Sequence, residues 1–150
     1  MNSDEINSIL FRLPSTRRVF LGTYPIDKLP KKPDGPFALV INYDPHDEPG
    51  SHWVALYSDG KNAHFHDSYG LPPLRLRIAM FLDPMKYSAT ATRVQSKRSR
   101  ACGYHAVAFI IKRAEGMSVK TFLNKFGKDY RANDVLVRRF VHQVGKWNGI

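Results

Sequence analysis

The dipeptide Asp59-Gly60, which lies between two short apolar segments, is the feature that most constrains the fold of this chain. Asp-Gly favours a two-residue type I′ turn, because that turn needs positive φ at both central residues. Residues 53–57 and 62–66 then form the strands of a hairpin in which His52 faces Asp67. Directly opposed residues have Cβ atoms roughly 4.5–5.5 Å apart, so the carboxylate can hold the imidazole in one tautomer and stabilise its cation.

Cys102 is the only cysteine of the chain, and it lies at the start of a helix predicted over residues 101–114. Backbone N–H groups at a helix start have no intrahelical partner, and that end carries partial positive charge. Both effects favour the thiolate, which is the nucleophilic form of cysteine. Gln95 follows a strand predicted over residues 89–94, so its amide and the Cys102 backbone N–H are candidate oxyanion donors. The predicted catalytic residues are Cys102 as nucleophile, His52 as general base, Asp67 as its orienting group and Gln95 as oxyanion donor.

A metal site is the main alternative for these residue types. His64 and His66 share one face of the second hairpin strand, and Cys102 with His105 forms a Cys-x-x-His pair. In the predicted register, however, His64 and His66 lie on the opposite face from His52 and Asp67. The chain also has no Cys-x-x-Cys or His-Glu-x-x-His pattern. We therefore predict no metal site and no metal or small-molecule cofactor.

The rest of the chain alternates helical and extended patterns. Residues 37–43 form an apolar run bounded by turn signals, which predicts a buried central strand, and residues 28–36 and 44–51 are predicted loops. The predicted helices cover residues 3–13, capped by Ser3 or Asp4; residues 72–82, opened by Pro72 and Pro73; residues 118–126, capped by Ser118; and a segment ending at residue 143, capped by Asn133 or Asp134. This order predicts an α+β fold, with a mixed sheet flanked by helices, in a single domain spanning residues 1–150.

The net charge of +10 is unevenly distributed. Residues 1–75 carry eight basic and nine acidic residues, whereas residues 76–150 carry fifteen and four, so all of the excess lies in the second half. Such a surface attracts polyanions through counterion release. The candidate nucleic-acid-binding residues are Lys97, Arg98 and Arg100, which we call the basic segment, together with Arg138 and Arg139. A solvated basic face without a partner is the alternative interpretation.

The chain contains no run of 18 apolar residues and no basic stretch leading into a long apolar one near its start. No transmembrane helix, membrane partner or signal peptide is therefore expected. A single cysteine forms no internal disulfide framework and suits a reducing, intracellular compartment.

Four segments, in this order and spacing, resemble the adenovirus-type maturation proteases (adenain-like), within the clan that includes the SUMO-deconjugating cysteine proteases. They span about residues 20–110, and together they are far more specific than any one of them. They are Phe20-Leu21-Gly22-Thr23-Tyr24; Gly50-Ser51-His52-Trp53; Asp67-Ser68-Tyr69-Gly70; and Gln95 followed by Cys102-Gly103.

The resemblance implies a papain-like core and a monomeric cysteine endopeptidase that cleaves viral precursor polypeptides near glycine. It places substrate contacts at Gly50, Ser51, Trp53 and Gly103, and it implies DNA as a cofactor and a location in the host nucleus and the virion. Adenoviral members capture an activating peptide through a second cysteine. Because Cys102 stands alone here, any activating peptide must bind non-covalently.

Two other functions fit the same residues. The triad does not separate a precursor protease from a deconjugase for SUMO- or ubiquitin-like modifiers. A non-catalytic nucleic-acid-binding protein on a protease fold is a further alternative, and selective reaction of Cys102 with an electrophile distinguishes it from either enzyme.

Overall fold

In the part of the chain that the computed structural model describes, residues 1–43, 52–73 and 76–150, five strands form one mixed sheet in sequential order. The two outer pairs, β1 with β2 and β4 with β5, are parallel, and the two inner pairs are antiparallel. The strands are β1 (Phe20–Pro25), β2 (Phe37–Asn42), β3 (Trp53–Ser58), β4 (Asn62–His66) and β5 (Lys86–Ala89).

Helices cover both faces of this sheet and divide the core into two layers. The helices are α1 (Ser3–Arg12), α2 (Leu76–Leu82), α3 (Cys102–Ala114), α4 (Val119–Leu123) and α5 (Tyr130–Trp147). Ala38 and Val40 of β2 pack with α1, α3, α4 and α5, whereas Leu39 and Ile41 pack with α2 on the other face. Residues on a strand alternate between faces, so the continuous apolar run over residues 37–41 of β2 fits burial on both sides. The predicted α+β fold is confirmed.

Helix α3 is the central helix of the larger layer. Nine of its thirteen residues are buried, and it packs on β3 and against α5. The apolar density that predicted this helix from the sequence therefore reflects contacts around most of its circumference. Among the described residues, no helix has the length and apolar character needed to cross a membrane.

The hairpin register differs from the prediction by two residues. Ser58 pairs with Ala63, and Asp59 closes the turn on Asn62, so the two-residue loop is Gly60-Lys61 rather than Asp59-Gly60. A type I′ turn centred on Asp59-Gly60 would need positive φ at Asp59. Only Gly60 has positive φ here, and the Asp59 carboxylate accepts the Lys61 and Asn62 backbone N–H groups. Glycine first in a two-residue loop is typical of type II′.

Three other element boundaries were also predicted wrongly. The fifth strand is Lys86–Ala89 rather than residues 89–94, because beyond Thr90 the chain leaves the ladder and both Val94 and Gln95 donate to the Ser68 carbonyl. Helix α1 is capped by Asn2 in a capping box with Glu5.

Helix α5 is the third case. It begins at Tyr130 with Asp129 as its cap, and Asn133 and Asp134 lie buried inside it. The other predicted helices lie close to observed ones: α4 covers the middle of residues 118–126, and α2 the end of residues 72–82.

Candidate active site

His52 and Asp67 are in direct contact at the end of the β3–β4 hairpin. His52 Nε2 lies 2.9 Å from Asp67 Oδ1, which also accepts the Tyr69 backbone N–H at 2.9 Å. The Asp67 side chain is fully buried, so its charge faces the imidazole with little solvent screening. With Nε2 on the carboxylate, Nδ1 is the ring nitrogen left for the thiol.

Cys102 occupies the first position of α3 and hydrogen-bonds to His52. Ala101, the cap residue, provides no side-chain hydrogen bond to the helix start. Burial alone raises the pKa of the thiol, but the hydrogen bond with His52, the Trp53 and Gly103 backbone N–H groups and the imidazolium charge bring it below its ordinary value. The thiolate is therefore favoured in this position.

The pKa of His52 moves in the opposite direction. Burial lowers it, but hydrogen bonds to Asp67 and Cys102 and the negative charges of both residues outweigh burial and raise the pKa to about 9. A raised imidazole pKa beside a lowered thiol pKa favours a thiolate–imidazolium ion pair at neutral pH.

Two aromatic rings hold the His52 imidazole. The Tyr69 ring centroid lies 5.0 Å from that of His52, and the Tyr43 ring lies 5.6 Å from it. The sequence motif Asp67-Ser68-Tyr69-Gly70 includes Tyr69, but neither Tyr69 nor Tyr43 has a predicted role. Both adjoin residues that do have one, since Tyr69 follows Asp67 by two and Tyr43 ends the predicted central strand.

Gln95 is fully buried in the irregular segment before α3. Its Oε1 accepts from the Ser68 hydroxyl, while its Nε2 donates to Ser99 Oγ at 3.0 Å, to the Ser99 carbonyl at 3.1 Å and to Tyr69 Oη at 3.3 Å. Hydrogen bonds therefore orient both the oxygen and the nitrogen of the Gln95 amide. Ser68 and Ser99 were missed, although Ser68 directly follows Asp67 in the motif.

Gly70 allows the segment leading to Gln95 to pass close to the Asp67 turn. The Gly70 N–H donates to the Asp67 carbonyl, and its φ is +72°. A Cβ at this position would lie 2.6 Å from the Thr92 carbonyl carbon and 2.7 Å from the Arg93 nitrogen. Glycine is therefore required here both by conformation and by space.

Two of the four predicted substrate contacts can be located. Trp53 is half-buried, and its Nε1 donates to the Met1 carbonyl at 3.1 Å. Gly103 is buried, and an added Cβ would meet Met1 at 3.0 Å and the Trp53 ring at 3.4 Å. Both residues thus flank the catalytic candidates and pack on each other and on Met1. Gly50 and Ser51, like the rest of the loop predicted over residues 44–51, lie outside the described residues.

The predicted nucleic-acid contacts fall into two groups. Lys97, Arg98 and Arg100 of the basic segment are exposed, in the stretch that leads from Gln95 to Cys102. On α5, Arg139 is exposed, whereas Arg138 is half-buried with its guanidinium 5.0 Å from the centre of the Tyr104 ring.

The three other histidines weighed for a metal site, His64, His66 and His105, are engaged elsewhere, His66 with its Nδ1 2.9 Å from Thr90 Oγ1. His64 bonds to Ser88 and Thr90, and His105 Nε2 lies 2.8 Å from Asp134 Oδ1, which turns it away from a shared site with Cys102. Among the described residues, no group of three or more His, Cys, Asp or Glu side chains is arranged to hold a metal ion.

The mixed five-stranded sheet with its flanking helices is similar to the fold of several solved cysteine proteases. The ASFV pS273R protease matches with a TM-score of 0.64 and 19% identity over 89% of this chain and 65% of that one. The SUMO protease Ulp1 matches with a TM-score of 0.58 and 12% identity over 99% of this chain and 78% of that one. ChlaDub1 from Chlamydia trachomatis matches with a TM-score of 0.58 and 16% identity over 76% of this chain and 61% of that one.

At these identities the likeness establishes the fold. The chain spans less than two thirds of the length of the pS273R and ChlaDub1 structures. No protein-family model and no curated protein sequence matches it.

Proposed function

We propose that this protein is a cysteine endopeptidase in which Cys102, His52, Asp67 and Gln95 carry the chemistry. The observation that carries the proposal is the convergence of Cys102, His52 and Asp67, which lie far apart in the sequence and are joined here by hydrogen bonds. The fold shared with pS273R, Ulp1 and ChlaDub1 supports it.

The proposed reaction begins from the ion pair. The Cys102 thiolate attacks the scissile carbonyl carbon, and the resulting oxyanion is held by the Gln95 side chain and the Cys102 backbone N–H. His52 gives its proton to the departing amine, and a thioester remains on sulfur. Neutral His52 then takes a proton from water, whose oxygen attacks the thioester carbon, and collapse of that second intermediate releases the carboxylic acid and restores the thiolate.

Processing of viral precursor polypeptides near glycine is the role we propose for this chemistry. It is supported by the resemblance of residues 20–24 to a segment of the adenovirus-type enzymes, and by the likeness of the fold to a protease of ASFV. On this proposal the enzyme acts in the host nucleus and the virion. Gly50 and Ser51 join Trp53 and Gly103 as the proposed substrate contacts.

Deconjugation of a ubiquitin-like modifier is the second candidate. The same thiolate can attack an isopeptide carbonyl, and two of the similar structures are named as a SUMO protease and as ChlaDub1. The two candidates differ in substrate rather than in mechanism, so an assay of both substrate types separates them.

We also propose that the basic segment binds nucleic acid, which would then lie beside Cys102. Lys97, Arg98 and Arg100 are exposed and occur in the half of the chain that carries the positive excess. This supports a polyanion cofactor, and it is independent of the protease chemistry.

The test is turnover of a panel of fluorogenic peptides with glycine at and before the cleaved bond, alongside SUMO and ubiquitin with a reporter on their Gly-Gly tail, each with and without DNA. Cys102→Ala serves as the inactive control. We expect cleavage that the control lacks, and Gln95→Ala should lower kcat by about 10²–10³-fold, the usual cost of removing one oxyanion donor.

The accompanying measurement is alkylation of Cys102 by iodoacetamide at neutral pH. A protein that cleaves no substrate and whose thiol reacts no faster than free cysteine would favour the binding-protein alternative. Cleavage of the modifiers but not of the peptides would favour the deconjugase.

A further inference from the structure

A buried carboxylate on α5 reaches the segment that carries Gln95. Asp134 Oδ1 lies 2.8 Å from His105 Nε2, and the Ser99 hydroxyl and the Ser96 backbone N–H lie beside the same carboxylate. Burial raises the pKa of Asp134, but the hydrogen bond from His105, the nearby Ser99 hydroxyl, the charge of His105 and the Ser96 N–H bring it below its ordinary value. Asp134 is therefore ionised at neutral pH.

The neighbouring residue Asn133 anchors the other end of the same segment. Its Nδ2 donates to the Val94 carbonyl at 3.0 Å and to the Gly127 carbonyl at 2.9 Å, and its Oδ1 accepts from the Gly127 N–H. Helix α5 thus holds residues 94–99 at both ends, with Gln95 between the two anchors.

Ser99 joins the carboxylate to the glutamine. A hydroxyl has one hydrogen to donate and two lone pairs to accept with. The negative charge of Asp134 attracts the hydrogen of the nearby Ser99 hydroxyl, so that the hydroxyl oxygen presents lone pairs to Gln95 Nε2, which lies 3.0 Å away. With Gln95 Nε2 on Ser99 and its Oε1 on Ser68, the amide has one favoured orientation.

We propose that Asp134 is a positioning residue for the oxyanion hole, acting through Ser99 to orient the Gln95 amide. One Gln95 N–H is shared between the hydroxyl and carbonyl oxygens of Ser99, and the second, whose other acceptor is Tyr69 Oη at 3.3 Å, turns to the oxyanion. Without a negative charge at position 134, the Ser99 hydroxyl is free to rotate and offer its own hydrogen to Gln95. The inference rests on the proposed function, because it assigns the positioning of a group in that reaction.

The experiment compares Asp134→Asn and Ser99→Ala with Asp129→Asn. Asp129 is the matched control, because it carries the same charge on the same helix and asparagine is an equally good helix cap. Steady-state kinetics use the best-cleaved substrate of the panel above. Each variant is also made in the Gln95→Ala background, and thermal unfolding and iodoacetamide labelling of Cys102 are measured in parallel.

We expect Asp134→Asn and Ser99→Ala to lower kcat by about tenfold or more, since small misplacements of a catalytic group can cost as much as 10²-fold. The KM and the labelling rate should stay within about twofold, because neither residue contacts the thiol–imidazole pair. In the Gln95→Ala background the same changes should have almost no effect, because the group that they orient is gone. Asp129→Asn should match the unmodified protein.

Three results would overturn the inference. The first is a kcat for Ser99→Ala and Asp134→Asn within about twofold of the unmodified enzyme. The second is an equal loss with and without Gln95, which would indicate a general distortion of the site. The third is an unmodified protein that cleaves neither peptides nor modifiers, because then the proposed function itself fails and the positioning role fails with it. If Asp134→Asn does not fold, the kcat of Ser99→Ala, measured with and without Gln95, is enough to test for the first and the second result.

Discussion

Replacing Asp67 by asparagine should raise the pKa of the Cys102 thiol. Asp67 contributes both a hydrogen bond and a negative charge that raise the pKa of His52, against burial, which lowers it. Asparagine can still accept a hydrogen bond from His52, but without the negative charge the imidazolium is less stable, and the thiolate loses the cation that favours it. The fold should tolerate the change, because asparagine has the shape of aspartate and can still accept the Tyr69 N–H.

The magnitude follows from the charge state of His52. With a pKa of about 9, roughly one imidazole in a hundred is neutral at pH 7. Without Asp67 we expect that pKa to return to about 6.5 or below, where about a quarter or less of the imidazole is protonated at pH 7. The imidazolium population at neutral pH should therefore fall about fourfold or more.

The assay is the ultraviolet absorbance of the thiolate as a function of pH, with Cys102→Ala as the blank and Asp59→Asn as the control. Asp59 is an exposed acid at the tip of the same hairpin, so its replacement removes the same charge far from the thiol. The ion pair should exist above the lowered thiol pKa and below the His52 pKa of about 9, which gives turnover a basic limb near pH 9.

In Asp67→Asn the thiolate should appear at higher pH than in the unmodified protein. The reasoning is refuted if the unmodified thiol titrates at or above the free-cysteine value of about 8.5, or if Asp67→Asn leaves its titration curve unchanged.

Three further predictions concern stability and charge. Gly70→Ala should destabilise the fold by roughly 2–5 kcal/mol in urea unfolding, because strain at positive φ adds to the clash with Thr92, whereas Gly35→Ala should cost only the strain, since nothing lies within 4 Å of its Cβ. Burial lowers the pKa of His64 to about 4, so this residue should contribute a fall of roughly 3 kcal/mol in the free energy of unfolding as pH drops from about 6.5 to 4. His64→Gln should remove that contribution and leave the one from His66, whose pKa burial also lowers. Neutralising the basic segment should reduce the slope of log K against log salt for duplex DNA by roughly 2–3, measured against the triple replacement of Arg12, Arg17 and Arg18.

The hairpin shows how a wrong local prediction can still bring the right residues together. Moving the turn from Asp59-Gly60 to Gly60-Lys61 shifts the register by two residues, and a shift of two keeps every side chain on its face. Extending the observed register places Asp67 opposite Val54 and diagonal to His52. Diagonal neighbours are close enough for the Asp67 and His52 side chains to meet. The sequence therefore predicts the shared face securely, whereas the exact opposition depends on how the Asp59 carboxylate is used.

Elements with a strong apolar pattern were predicted most closely. Strand β2 and helix α3 match their predictions to within a residue at each end, because their patterns reflect burial on most sides. Gln95 lies instead in an irregular segment, fixed by the side chains of Ser68 and Ser99. Ser68 and Ser99 are 27 and 4 positions from Gln95. Polar contacts of this kind produce no repeating pattern from which they could be predicted in a single sequence.

The start of α5 illustrates the same limit in its clearest form. Asn133 and Asp134 have the residue types of helix caps, and by local rules either could begin the helix. They lie one turn inside it instead, where Asp129 already caps the first turn and leaves both side chains available for contacts outside α5. The Asn133 amide donates to the Val94 carbonyl, and the Asp134 carboxylate bonds to His105 and lies beside Ser99. The same chemistry that suits a cap, a short polar side chain accepting or donating near the backbone, also suits a tertiary anchor. Only the position of residues 94–99 in space distinguishes the two uses.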